Sequence, residues 1–151
     1  KIIIKIAEKD DDIQINALIM LIELGEKNEL FNQKIPIWLK NDDPEMMKLI
    51  VQTLEKKDWG EIDWIINKIM NSSNDKLISR ILRRKRSIEA DKYRKNILLD
   101  EKRDLVLRSR IIEDLFGKKQ DEEIMKIILE LENNEHEAIS ETAKMYRKSV
   151  S

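Results

Sequence analysis

The stretch Asp104 to Gly117, DLVLRSRIIEDLFG, decides how the rest of the chain reads. An acid opens it, a glycine closes it, and Leu107, Ile111 and Leu115 recur every fourth residue between them. That is the pattern of one amphipathic helix with a start signal and a stop signal. The phrase returns as DIQINALIMLIELG from Asp12 and as DPEMMKLIVQTLEK from Asp43. Fainter copies are DKLISRILRRKR from Asp75 and EHEAISETAKMY from Glu135. The starts at 12, 43, 75, 104 and 135 are 31, 32, 29 and 31 residues apart. A period of this length with one helix pair per unit predicts an all-α chain, an α-solenoid of about four to five antiparallel helix pairs.

Between these starts the second helices are legible. Asn28 is read as the cap of a helix over residues 29–40, kinked by Pro36, after a first helix over 13–24 that ends at Gly25. Pro44 takes the first helical position after Asp43, and the stripe expected behind it is Met46, Leu49, Ile50 and Leu54. Asp58 and Glu61 read as an acidic variant of the capping box for a helix running to Met70, with Ile62, Ile65, Ile66 and Ile69 inward. The helix after Asp75 carries Ile78, Ile81 and Leu82. The segment with Ala90, Tyr93 and Ile97 has the thinnest stripe. Ile124, Ile127, Ile128 and Leu131 face one way, and a terminal helix carries Ala138, Ile139, Thr142, Ala143 and Tyr146. Strand signals are absent: no alternating run is bounded by turn residues.

With 151 residues the chain is long enough for one repeat domain, 1–151, and the apolar KIIIKIAE start leads to the expectation that the array continues upstream. Charged residues make up 39% and hydrophobic ones 41%, with three Gly and two Pro, which suits a helical protein laced with charge. There is no Cys, so disulfides, thiolate metal sites and cysteine nucleophiles are excluded. No apolar run is long enough to span a membrane, and a reducing, cytoplasmic setting is expected. The net charge of −1 conceals a pattern. Residues 1–75 carry 10 basic and 15 acidic groups, 76–110 carry 13 and 5, and 111–151 carry 6 and 10. A basic band therefore lies between acidic ends.

The repeated phrase resembles the short HEAT-like repeat of the phycobilisome-lyase type, within the armadillo-like solenoids. Asp104, Leu107, Arg108, Ile111, Leu115 and Gly117 match best, then Asp43, Pro44, Met46 and Leu54, then Asp12, Ile15, Leu24 and Gly25. Where the best copy has Arg108, the others have Asn16, Met47, Ser79 and Ile139. The resemblance implies an α-solenoid that acts by binding, most often as a protein-interaction scaffold. It also implies that Arg108 pairs with an acid, for which Asp104 and Asp75 are the candidates.

No residue set points to catalysis. His136 is the only His, and one His with neighbouring carboxylates is not a zinc signature, so a surface or capping role is expected. Asp10, Asp11 and Asp12 lack the tight-turn glycine and distal glutamate of a hard-cation loop and read as a helix cap. No cofactor is implied. Met46, Met70, Met125 and Met145 are expected in or near the core. Trp38 is expected in the core, and Trp59 against a turn.

The expected function is a non-enzymatic protein-protein interaction scaffold whose partner is a protein, with an acidic one as a candidate. The alternative is nucleic-acid binding through the band at 76–110, with Arg80, Arg83, Arg84 and Arg86 at its centre. Base-stacking aromatics are scarce there, since only Tyr93 falls in the band. A partner-facing column is expected at Gln33, Trp64, Lys95 and Lys126. At about 100° per residue, Trp64 lies opposite the isoleucine stripe of its helix, and the other three follow at the repeat step.

Overall fold

The structure is a computed structural model. It describes residues 43–151 together with Asn16, Ile19, Met20, Ile22, Glu23, Pro36, Ile37, Leu39 and Lys40. The expected caps at Asp10–Asp12 and Asn28, Trp38, Gln33 and the turn before Pro36 on which the expected kink depends lie outside what it describes, while Pro36 itself is helical and exposed. Among the described residues there is helix and no strand. The chain forms two compact units, Lys1–Arg84 and Lys85–Ser151.

In the first unit, α1 is Pro44–Glu55, α2 is Trp59–Met70 and α3 is Asp75–Arg84. Asp43 caps α1 by accepting the Glu45 N–H at 3.3 Å, and Pro44 sits where a missing N–H costs nothing. The buried face of α1 is Met47, Ile50, Val51 and Leu54. This corrects the expected stripe: Leu49 is 41% exposed and Met46 only half-buried. Two overlapping sets in this segment both obey the helical spacing. The set containing Val51 wins because it turns Lys48, Gln52 and Glu55 to water.

Helix α2 buries Ile62, Ile65, Ile66 and Ile69 as expected. The Asp58–Glu61 capping box does not form, and the Asp58 carboxylate makes no capping bond. Glu61 instead lies 3.9 Å from the Lys57 ammonium. Two carboxylates folded back on one helix start would repel, whereas Lys57 attracts. Helix α3 is capped by Asn74, whose Oδ1 accepts the Leu77 N–H at 3.1 Å, so the acid Asp75 moves into the first turn. Helix α3 packs on both α1 and α2.

In the second unit, α4 is Ile88–Leu99, α5 is Leu105–Glu113, α6 is Glu122–Leu131 and α7 is Glu137–Val150. Ser87 caps α4 through the Ala90 N–H at 3.2 Å. The thin stripe of α4 is completed by a charged residue: Arg94, 2% exposed, shares the buried face with Ala90, Ile97 and Leu98. Asp104 caps α5 twice, accepting from Val106 at 2.8 Å and Leu107 at 3.2 Å. The chain leaves α5 through Gly117, whose φ of +72° a residue with a Cβ adopts only under strain. The Gly117 N–H donates to Ser149 Oγ at 2.9 Å, and the Tyr146 hydroxyl donates to the Lys118 carbonyl at 2.9 Å, so α7 clamps that turn.

Helix α7 buries Ile139, Thr142, Ala143 and Tyr146, while Ala138 is exposed. Met70 is buried, Met125 is half-buried against Tyr146, and Met145 is 55% exposed, contrary to its expected core place. Helix α4 packs on α5 and α6, and α7 packs on the same two helices.

Candidate functional site

Helices α1 and α3 leave a groove of about 500 Å³ between them. From α1 it receives Glu45, Lys48, Val51, Gln52 and Glu55, and from α3 it receives Arg80, Arg83 and Arg84. Spacings of three and four residues put each set on one helical face. Val51 is buried in the floor, Arg80 is half-buried, and Lys48, Arg83 and Arg84 are exposed. Four cations thus share the groove with two carboxylates. Three of the four basic residues singled out in the sequence meet here. Arg86 does not: it belongs to the second unit, where its Nη2 donates to the Asp114 carbonyl at 3.1 Å.

The α1 half of this groove is what sequence reading missed. A signal was available. Stepping from Asp43 to Asp75 moves Lys48 onto Arg80, Val51 onto Arg83 and Gln52 onto Arg84. The groove brings positions 32 residues apart in the sequence onto two facing helices, Lys48, Val51 and Gln52 from α1 and Arg80, Arg83 and Arg84 from α3.

The rest of the basic band is divided between solvent and the interior. Lys92, Lys102 and Arg110 are exposed. Arg94 is buried, with Nη1 at 2.6 Å from Asp91 and Nη2 donating to the Lys85 carbonyl at 3.0 Å. Burial lowers its pKa, and the Asp91 hydrogen bond opposes that shift. Arg108 is 2% exposed and forms no pair with Asp104 or Asp75, which corrects the ion pair expected of it. Its Nη2 donates to the Leu98 carbonyl at 2.7 Å. The carboxylate of Asp104 is already engaged on two backbone N–H groups of α5.

The expected partner column is placed unevenly. Gln33 lies outside the described residues. Trp64 is half-buried, and its Nε1 donates to the Glu61 carbonyl at 3.2 Å. Lys95 is engaged: its ammonium lies 2.7 Å from Glu123 and 3.4 Å from Asp121, and the Glu123 bond raises its pKa above the usual lysine range. Lys126 is exposed. Trp59 is half-buried at the start of α2 and donates to Asp63 at 3.0 Å, which fits its expected place at a turn.

His136 sits exposed at the N-cap of α7, without a side-chain capping bond. Among the described residues no group of three or more His, Asp or Glu could hold a metal ion, and no helix is long and apolar enough to cross a membrane. Compared with known proteins, the chain matches no family model, no curated protein and no solved structure at a significant level.

Proposed function

We propose that the chain is a non-enzymatic protein-interaction scaffold of the α-solenoid kind, built of short HEAT-like helix pairs, and that the groove between α1 and α3 takes an acidic segment of a partner protein. The repeat reading is supported by the packing inside each unit, where helices two apart in order touch: α1 with α3, α4 with α6, α5 with α7. Stacked helix pairs bury a continuous core in that way. The single observation that carries the partner reading is the convergence of Lys48, Arg80, Arg83 and Arg84 around Val51. Cations over an apolar floor suit a peptide that alternates carboxylates with apolar side chains. A chain without cysteine suits a reducing, cytoplasmic setting.

The second reading, a nucleic-acid interface, draws on the 13 basic residues against 5 acidic ones at 76–110. Its weakness is that Arg94, Lys95 and Arg108 are engaged inside the second unit, and Glu45 and Glu55 interrupt the groove. The experiment is fluorescence anisotropy with a labelled Glu/Leu-alternating peptide, a DNA duplex and a DNA single strand, at about 50 and 200 mM salt. Tighter binding of the peptide, weakened at least tenfold by Arg83→Glu with Arg84→Glu, is expected. Tighter binding of either DNA, falling steeply with salt, would replace the scaffold reading with the nucleic-acid one.

A further inference from the structure

Among the described residues, Arg108 is a fully buried charged side chain whose donors are not all met. An arginine carries five N–H donors. The one side-chain bond it makes is from Nη2 to the Leu98 carbonyl at 2.7 Å, and its Nε is buried with no acceptor. A guanidinium taken out of water costs stability unless a carboxylate and further acceptors replace the lost hydration. No carboxylate does so here.

Arg108 also lines an open cleft of about 440 Å³ in the second unit. Its walls mix the apolar side chains of Leu98, Leu99, Ile127 and Leu131 with the polar ones of Asn133 and Asn134. Ile127 and Leu131 keep 7% and 8% of their surface, where most of the core keeps 1% or less, and Leu99 is 58% exposed. Glu101, Glu130 and Glu135 also line it, all on exposed positions. The cleft therefore offers one buried cation, apolar side chains and acidic groups around them.

Each part restricts the occupant. The guanidinium asks for a planar carboxylate, which its fork matches. Three carboxylates nearby disfavour phosphate, nucleic acid and acidic peptides. They favour a ligand with positive charge just behind its own carboxylate. The apolar side chains among the lining ask for an aliphatic group between the two. We propose that this cleft captures the free C-terminus of a partner chain that ends in an aliphatic residue preceded by a basic one. The α-carboxylate meets Arg108, the aliphatic side chain lies against Leu99 and Ile127, and the preceding cation meets Glu130 and Glu135. Backbone carboxylate capture of this kind is a recurrent mode of peptide recognition. The site is separate from the α1–α3 groove, so its fate does not depend on that of the groove.

The test uses a fluorescent five-residue peptide ending in Lys-Leu with a free carboxylate, the same peptide ending in an amide, and free leucine as a competitor. The acid peptide is expected to bind at least tenfold more tightly than the amide. Arg108→Gln should abolish that difference. Because Arg108 is buried and its variant can lose the fold, Leu99→Asp and Glu130→Gln with Glu135→Gln, all at exposed positions, serve as second variants. Each is expected to weaken the acid peptide at least fivefold, with the helical circular dichroism unchanged. Equal affinity for acid and amide, or no binding of either to the wild-type chain, would overturn the proposal. Displacement of the peptide by an equal concentration of free leucine would also overturn it, in favour of a small-molecule site.

Discussion

Asn74 Nδ2 donates to the carbonyl of Leu39 at 2.8 Å, 35 positions back along the chain. The Oδ1 of the same amide accepts the Leu77 N–H and so starts α3. One buried side chain thus caps a helix and fastens a distant segment, and only an amide carries both a donor and an acceptor in that geometry. Asn74→Asp keeps the cap but turns a carboxylate oxygen toward the Leu39 carbonyl. It should cost about 1–3 kcal/mol, the loss typical of a buried acceptor left without its donor. Urea denaturation of the two proteins checks this, and an equally stable Asp variant would contradict the Leu39 bond.

The existence and order of the helices were legible because their start signals are local chemistry. Asp43 with Pro44, Asp104, and Gly117 each act within one turn, so the residues alone reveal them. Which face turns inward was less legible. On α1 the sets beginning at Met46 and Met47 both satisfy the helical period, and neighbouring helices decide between them. Least legible was charge in the core. Arg94 read as one member of the basic band and Arg108 as the partner of an acid, because a sequence does not show that a carbonyl such as that of Lys85 or Leu98 stands ready to receive a guanidinium. The groove was half visible for a related reason: arginines announce themselves, whereas Lys48 and Val51 gain meaning only from the helix opposite.

The two acidic helix starts at Asp104 and Asp58 should behave differently. Asp104 accepts two backbone N–H groups, and Asp58 accepts none with its side chain. Asp104→Ala is expected to cost about 1–2 kcal/mol, as removal of a working cap does. Asp58→Ala should cost no more than about 0.5 kcal/mol, the remaining attraction of a carboxylate for a helix N-terminus. Thermal or chemical denaturation of both variants side by side makes the comparison. A larger loss at Asp58 than at Asp104 would contradict the capping geometry.

Asp121 couples stability to acid. Its pKa is lowered, first by the hydrogen bond it accepts from the Ile124 N–H at 2.8 Å and further by Lys95. A carboxyl with a lower pKa folded than unfolded binds fewer protons in the folded state. Its contribution is therefore complete above the unfolded value of about 4 and disappears as pH falls through the folded value. Asp121→Asn preserves the cap, since an Asn oxygen accepts equally well. The wild type should be the more stable at pH 7, and the margin should close as pH falls below about 4. Denaturation midpoints across that range test it, and a margin that widened in acid would reverse the assignment.

Arg94 separates packing from charge. Its stem fills a place in the buried face of α4 beside Ala90, Ile97 and Leu98. Its head bonds Asp91 and the Lys85 carbonyl. Asp91 keeps 31% of its side-chain surface and returns readily to water when the pair is broken. The charge therefore returns little net free energy, because desolvation of the guanidinium offsets the bonds it makes. Arg94→Met keeps most of the stem volume without the charge and should change stability by no more than about 1 kcal/mol. Arg94→Ala removes the same charge and leaves a void, and should cost about 3 kcal/mol, within the range for large-to-small changes in a core. Equal, large losses in both variants would show that the ion pair, not the packed stem, holds α4 in place.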